Sequence, residues 1–136
     1  MTQYLQDTVE AIGIDLVNPG ICHFVWKACD DVVFEHIRSS DFIAFINLHK
    51  KAPIPIIKDR RAGKMCHVLY ELSLCHSIPG LTNQWIEHML VALGIDNETY
   101  QHHHLIKPNS LGTSKSNKKF AERIQEAIKL ADIINL

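Results

Sequence analysis

The strongest constraint on the fold is the run Lys64–Ile95, KMCHVLYELSLCHSIPGLTNQWIEHMLVALGI, two apolar-striped segments joined by Ile78-Pro79-Gly80-Leu81. Met65, Val68, Leu69, Leu72 and Cys75 or His76 follow i, i+3, i+4, i+7 spacing, which lines apolar groups along one side of a helix. Trp85, Ile86, Met89, Leu90 and Leu93 repeat the pattern. Proline lacks an amide hydrogen and glycine accepts backbone angles other residues resist, so the chain turns at Pro79-Gly80. Thr82 stands where it would cap the second helix, and Gly94 where it would end it. Two such helices across a short turn pack on each other, a helix-turn-helix-like hairpin in the broad sense.

The flanking segments carry the same period. Leu5, Val9 and Ile12 predict a helix over 3–12 that Gly13 ends, and Asn18-Pro19-Gly20 reads as a turn. Phe24, Val25, Ala28, Val32 and His36 predict one helix over 20–38. Ser39, Ser40 and Asp41 then stop it and cap another that carries Phe42, Phe45, Ile46 and His49 to Lys50. The segment Ala52-Pro53-Ile54-Pro55-Ile56-Ile57 cannot be helical, because each proline removes a donor and pushes its predecessor into extended geometry. Asn97 can cap a short helix through Tyr100 and His104. Lys107–Ser116 is the clearest loop, and Phe120, Ile124, Ala127, Ile128 and Ala131 stripe a last helix from about 117 to 134.

The fold expected is all-α, a single compact helical domain over 1–136. It has five to six helices, a central helix-turn-helix-like hairpin and a short extended proline-rich arm. Its parts are N-terminal helices in 1–50, a basic extended arm in 51–64 and the helix-turn-helix-like part in 65–136. Aromatic residues such as Trp26, Trp85, Phe34 and Phe120 stand at or beside stripe positions and are expected in the core. Apolar runs such as Phe42–Ile46 and Met89–Ile95 fall far short of the roughly 20 residues that span a bilayer. The N-terminal MTQYLQDTVEAIG has acids where a secretory signal has lysines, so a cytoplasmic protein without a membrane partner is expected. Cys22, Cys29, Cys66 and Cys75 show no C-x-x-C spacing and are read as reduced core residues.

Net charge is −1, but the signs are segregated. Residues 1–49 hold two cations against seven acids, and residues 65–106 hold none against four. Residues 50–64 hold six cations against Asp59, and residues 107–136 six against three acids. Such a chain is not a uniformly basic nucleic-acid binder, yet it can carry local basic patches. One patch is Lys58, Arg60, Arg61 and Lys64, at the entrance to the central hairpin. In the other, Lys115, Lys118 and Lys119 crowd the start of the last helix beside Ser114 and Ser116. A helix N-terminus is already partly positive, so cations there are unfavourable by roughly 0.3–1 kcal/mol each at low salt. Free N–H groups, lysines and hydroxyls together form an anion site, and nucleic-acid phosphate is its natural occupant. The exposed residues expected on the second hairpin helix, Asn83, Gln84, Glu87 and His88, include no lysine or arginine. If DNA is bound, the last helix and its basic N-terminus are therefore expected nearer the duplex.

Nine histidines invite a metal reading. Consecutive helical residues point about 100° apart, so His102, His103 and His104 cannot all reach one ion. Cys66-His67 and Cys75-His76 diverge likewise, and no H-E-x-x-H, glycine-rich phosphate loop or G-x-S-x-G turn is present. No enzyme activity, cofactor, metal or small-molecule substrate is inferred.

Residues 57–132 resemble the C-terminal part of RteC-type regulators of Bacteroidetes mobile elements. The shared order is basic residues, a helix His67-Val68-Leu69-Tyr70-Glu71-Leu72, a turn, and a helix leading to Gly94-Ile95-Asp96. Tyr100, a polar loop and a helix opening with Lys118-Lys119-Phe120 and closing near Asp132 follow. The resemblance implies helix-turn-helix-like modules and DNA binding in the control of element excision, expected here as a form of transcription regulation, with Lys115, Lys118, Lys119, Arg123, Arg60, Arg61 and Lys64 facing DNA. The function expected is thus a non-enzymatic regulatory or DNA-binding accessory protein using both patches. The alternative is a protein-interaction adaptor that binds a protein partner or a second copy of itself.

Overall fold

Five consecutive buried residues, Met65, Cys66, His67, Val68 and Leu69, set the architecture, because no single helical face holds five neighbours and their helix must be surrounded. The computed structural model describes residues 2–134 and places this helix at the centre. The elements are α1 (Thr2–Ile12), α2 (Pro19–Cys29), α3 (Ser39–Ile46), α4 (Ala62–Ser73), α5 (Thr82–Leu93), α6 (Asn97–His103) and α7 (Lys115–Ile134). A 3-10 turn, Pro79–Leu81, leads into α5. The all-α class holds, with one helix more than the five to six expected. Among the described residues there is no strand, only two isolated bridges.

Helices α5, α6 and α7 pack on α4, α2 lies between α3 and α7, and α1 reaches α5. One apolar cluster takes side chains from all seven helices, including Leu5, Cys22, Phe42, Leu72, Trp85, Tyr100 and Phe120. Trp85 is fully buried, and its Nε1–H donates to the Ile46 carbonyl at 2.9 Å, tying α5 to the end of α3. Trp26 and Phe24 are only partly buried, at the edge of this cluster.

Several boundaries differ from those the period predicts. The helix expected over 20–38 ends at Cys29. The Asp30 carboxylate accepts the Ile37 N–H at 2.9 Å and meets His36 Nδ1 at 2.6 Å, folding the intervening residues back, while Asp31 turns to φ 59°. Val33 and Phe34 are buried from this loop, not from a helix. Beside it runs the proline arm, where Glu35 N–H donates to Ile56 O at 2.8 Å and Lys58 N–H to Val33 O at 3.0 Å. The arm ends there. Arg61 N–H closes a turn onto Lys58 O at 3.0 Å, and Lys64 already belongs to α4. The basic arm expected over 51–64 is therefore an extended piece, a turn and a helical first turn.

Asn18 is not a turn residue but the cap of α2, accepting the Gly20 N–H at 2.7 Å with Pro19 in the first helical position. Helix α3 stops at Ile46, short of Lys50. Asn47 is buried, accepts the Val17 N–H at 3.0 Å and donates to the Val17 carbonyl at 3.1 Å, while Leu48 turns to φ 64°. Asp96, not Asn97, caps α6 through the Thr99 N–H at 2.7 Å. Thr82 does not cap α5, since the 3-10 turn runs into that helix. Gly94 does end α5, with φ 70°. Eight residues separate Ser73 from Thr82, more than the roughly three to four of a compact helix-turn-helix turn. Ser77 docks this connection on the N-terminal loop, its N–H donating to Leu16 O at 2.8 Å and its hydroxyl to Asp15 O at 2.6 Å.

Candidate nucleic-acid interface

The first turns of α4 and α7 meet at a cleft. Lys64 Nζ donates to Ser116 Oγ at 3.0 Å, across 52 residues of sequence, and stands 5.4 Å from the centre of the Phe120 ring. The cleft encloses about 410 Å³ and is lined by Arg60, Arg61 and Lys64 on one side and by Ser114, Ser116 and Asn117 on the other. Thr99 and His103 of α6, with Ile106, close the third side. No carboxylate lines it.

Local geometry opens both helix ends toward this space. Arg61 stands at the cap position of α4 without a side-chain cap bond, so the first α4 N–H groups have no helical partner. Ser114 caps α7 only in part, its hydroxyl accepting the Asn117 N–H at 3.2 Å. Arg60 sits at φ 62°, a left-handed conformation costing a non-glycine residue about 1 kcal/mol or more, and this turns it out beside Arg61. Its contact with the Asp59 carboxylate is 4.0 Å with both groups exposed, a pair of little strength in water. At Gly63 a Cβ would come within 3.2 Å of the His103 ring, so the bare backbone is what lets α6 close on the start of α4. Burial, and then the neighbouring Arg61 charge, hold the Lys64 ammonium below its ordinary pKa. An anion would relieve that crowding.

The eight residues expected to face nucleic acid divide into three groups. Arg60, Arg61 and Lys64 line the cleft. Lys115, Lys118 and Lys119 are exposed on the outer side of the first turns of α7, away from buried Phe120 and Ile124, and none of the three lines the cleft. The remaining two are elsewhere. Lys58 pairs with Asp31 at 3.0 Å, and Arg123 lines a separate groove between α2 and α7 with Phe24 and Lys27. Gly63, Thr99 and His103 were not legible as site residues. A small residue at a helix start was the one available signal, and it is common.

The histidine run diverges as helix geometry requires. His102 lies 3.9 Å from Glu98, His103 lines the cleft, and His104 stacks on Tyr100 at 4.8 Å. Among the described residues no three His, Cys, Asp or Glu side chains are grouped to hold a metal ion. Burial raises the thiols of Cys22 and Cys29 to about 12 and that of Cys66 to about 11, which keeps them protonated. A second cavity of about 510 Å³ lies between the ends of α1 and α3. Of its lining residues, Lys50 pairs with Glu10 at 3.3 Å and with Asp7 at 2.5 Å, so its charge is met from within.

No helix among the described residues is long and apolar enough to cross a membrane. Comparison with protein-family models, with curated proteins and with solved structures returns no match.

Proposed function

We propose that this chain is a small, non-enzymatic regulatory or accessory protein of the cytoplasm that contacts nucleic-acid phosphates through the α4–α7 cleft and the exposed lysines at the start of α7. The observation that carries this reading is the meeting of two basic segments far apart in sequence, joined at Lys64 and Ser116. Helix ends, guanidinium groups, an ammonium and hydroxyls are the groups that hold phosphate oxygens. The resemblance to RteC-type mobile-element regulators points the same way.

In this reading the α4–α5 pair is the helix-turn-helix-like scaffold and the cleft supplies affinity. Helix α5 exposes Asn83, Gln84 and Glu87 without a cation, so binding is led by backbone phosphates with little sequence readout. Fluorescence anisotropy of a labelled duplex across a salt series tests this. Phosphate-led binding weakens steeply as salt rises because counterions are released. No binding at 50 mM salt, or affinity indifferent to salt, would overturn it.

A second reading, a protein-binding adaptor, draws on Tyr4, Ile12 and Ile14, which are 71%, 45% and 51% exposed around α1. Salt-insensitive capture of a partner that truncation of α1 abolishes would favour it.

A further inference from the structure

We infer that the α4–α7 cleft takes a terminal phosphate monoester, the end of a nucleic-acid strand or a free mononucleotide, in preference to an internal phosphodiester. The inference rests on the phosphate reading above and narrows it to one ligand chemistry. An internal diester carries one negative charge and two free oxygens, and the chain continues on both sides of it. A monoester carries about −1.5 to −2 at neutral pH and presents three oxygens.

The cleft is built for the second. Three cations, Arg60, Arg61 and Lys64, border one small space that no carboxylate lines, more positive charge than a single diester can neutralise. Ser114 and Ser116 add hydroxyls from the facing helix. The shape argues likewise. Segments 60–64, 99–106 and 114–117 bound the space on three sides, so a strand end can enter where a continuous duplex backbone would have to bend inward. A volume of about 410 Å³ lies in the range of roughly 300–1,000 Å³ typical of small-ligand sites and exceeds what a phosphate group alone needs. Ile106 and the His103 ring, at the α6 side, offer an apolar and a planar surface to the sugar and base that follow the phosphate.

The test is anisotropy with one single-stranded 12-mer in three forms, 5′-phosphorylated, 3′-phosphorylated and unphosphorylated, with a nucleoside 5′-monophosphate as competitor. A phosphorylated end should tighten binding at least about tenfold, with the monophosphate competing. Arg61→Gln should remove most of that gain, and a thermal melt on the same sample shows whether the variant is folded. Equal affinity for all three strands, with steep salt dependence, overturns the monoester site and leaves phosphate-led binding standing. Binding of the free monophosphate without either class of strand supports the monoester site and overturns the nucleic-acid reading. Failure of every probe at 50 mM salt overturns both.

Discussion

Reversing the charge of Lys115, Lys118 and Lys119 to Glu separates the cost of these residues to the fold from their use at the surface. All three are exposed at the start of α7, and none takes part in the Lys64–Ser116 contact or the Phe120 packing behind it. If each of the three lysines meets one phosphate and Arg60, Arg61 and Lys64 together hold one more in the cleft, the log–log salt slope is about −3.6, and affinity falls roughly 10²-fold between 50 and 200 mM. Removing three of the four contacts lowers the slope to about −0.9 and costs on the order of 10²–10³ in affinity near 0.1 M salt, before any repulsion from the new acids. The helix itself should tolerate the change, since acids suit a helix N-terminus; with salt screening these exposed groups, the gain in stability is on the order of 1 kcal/mol in total. The assay pairs anisotropy over a salt series with a thermal melt of the same sample. Arg123→Ala is the internal control, because Arg123 lies in the separate α2–α7 groove and should leave the slope as it was. An unchanged slope in the triple variant, or a fall in its melting temperature, would refute the reasoning.

The remaining expectations concern the scaffold. Leu72→Ala empties a fully buried position on α4 and should cost about 2–5 kcal/mol in denaturant unfolding; a loss under about 0.5 kcal/mol would place the helix in another register. Asn47→Ala leaves the buried Val17 N–H without its acceptor and the Val17 carbonyl with only the Cys22 thiol at 3.9 Å and should cost about 2–4 kcal/mol, with Asn47→Asp recovering only the half in which the side chain accepts. The His76 ring packs edge-on against Trp85 at 4.6 Å, and burial lowers its pKa from 6.5 to about 4. Protons then bind the unfolded chain first, so stability is full above about pH 6.5, declines as pH falls toward 4 and loses no more to this group below that. After allowance for partial exposure the loss is about 1–2 kcal/mol, and His76→Gln should flatten that portion of a stability-versus-pH curve.

The helical class and its principal stripes follow from the sequence because amphipathic period is local. Met65, Leu69 and Leu72, or Phe120, Ile124 and Ala131, line up one face whatever they pack against. Pro53 and Pro55 exclude helix from the arm for an equally local reason. Helix ends were less legible, since what stops them is often remote. The Asp30 carboxylate folds back the backbone as far as Ile37, and Asn47 leaves its helix to satisfy a peptide 30 residues earlier.

The site shows the same division more sharply. Residue type alone marked both basic segments and the unfavourable lysines at the start of α7. Only the tertiary structure joined Lys64 to Ser116, brought His103 over Gly63, turned Lys58 to Asp31 and left Arg123 in another groove. Side-chain chemistry is carried by the residue itself. Which charges share one space depends on how the helices pack around α4, and that is set by the burial of many side chains at once.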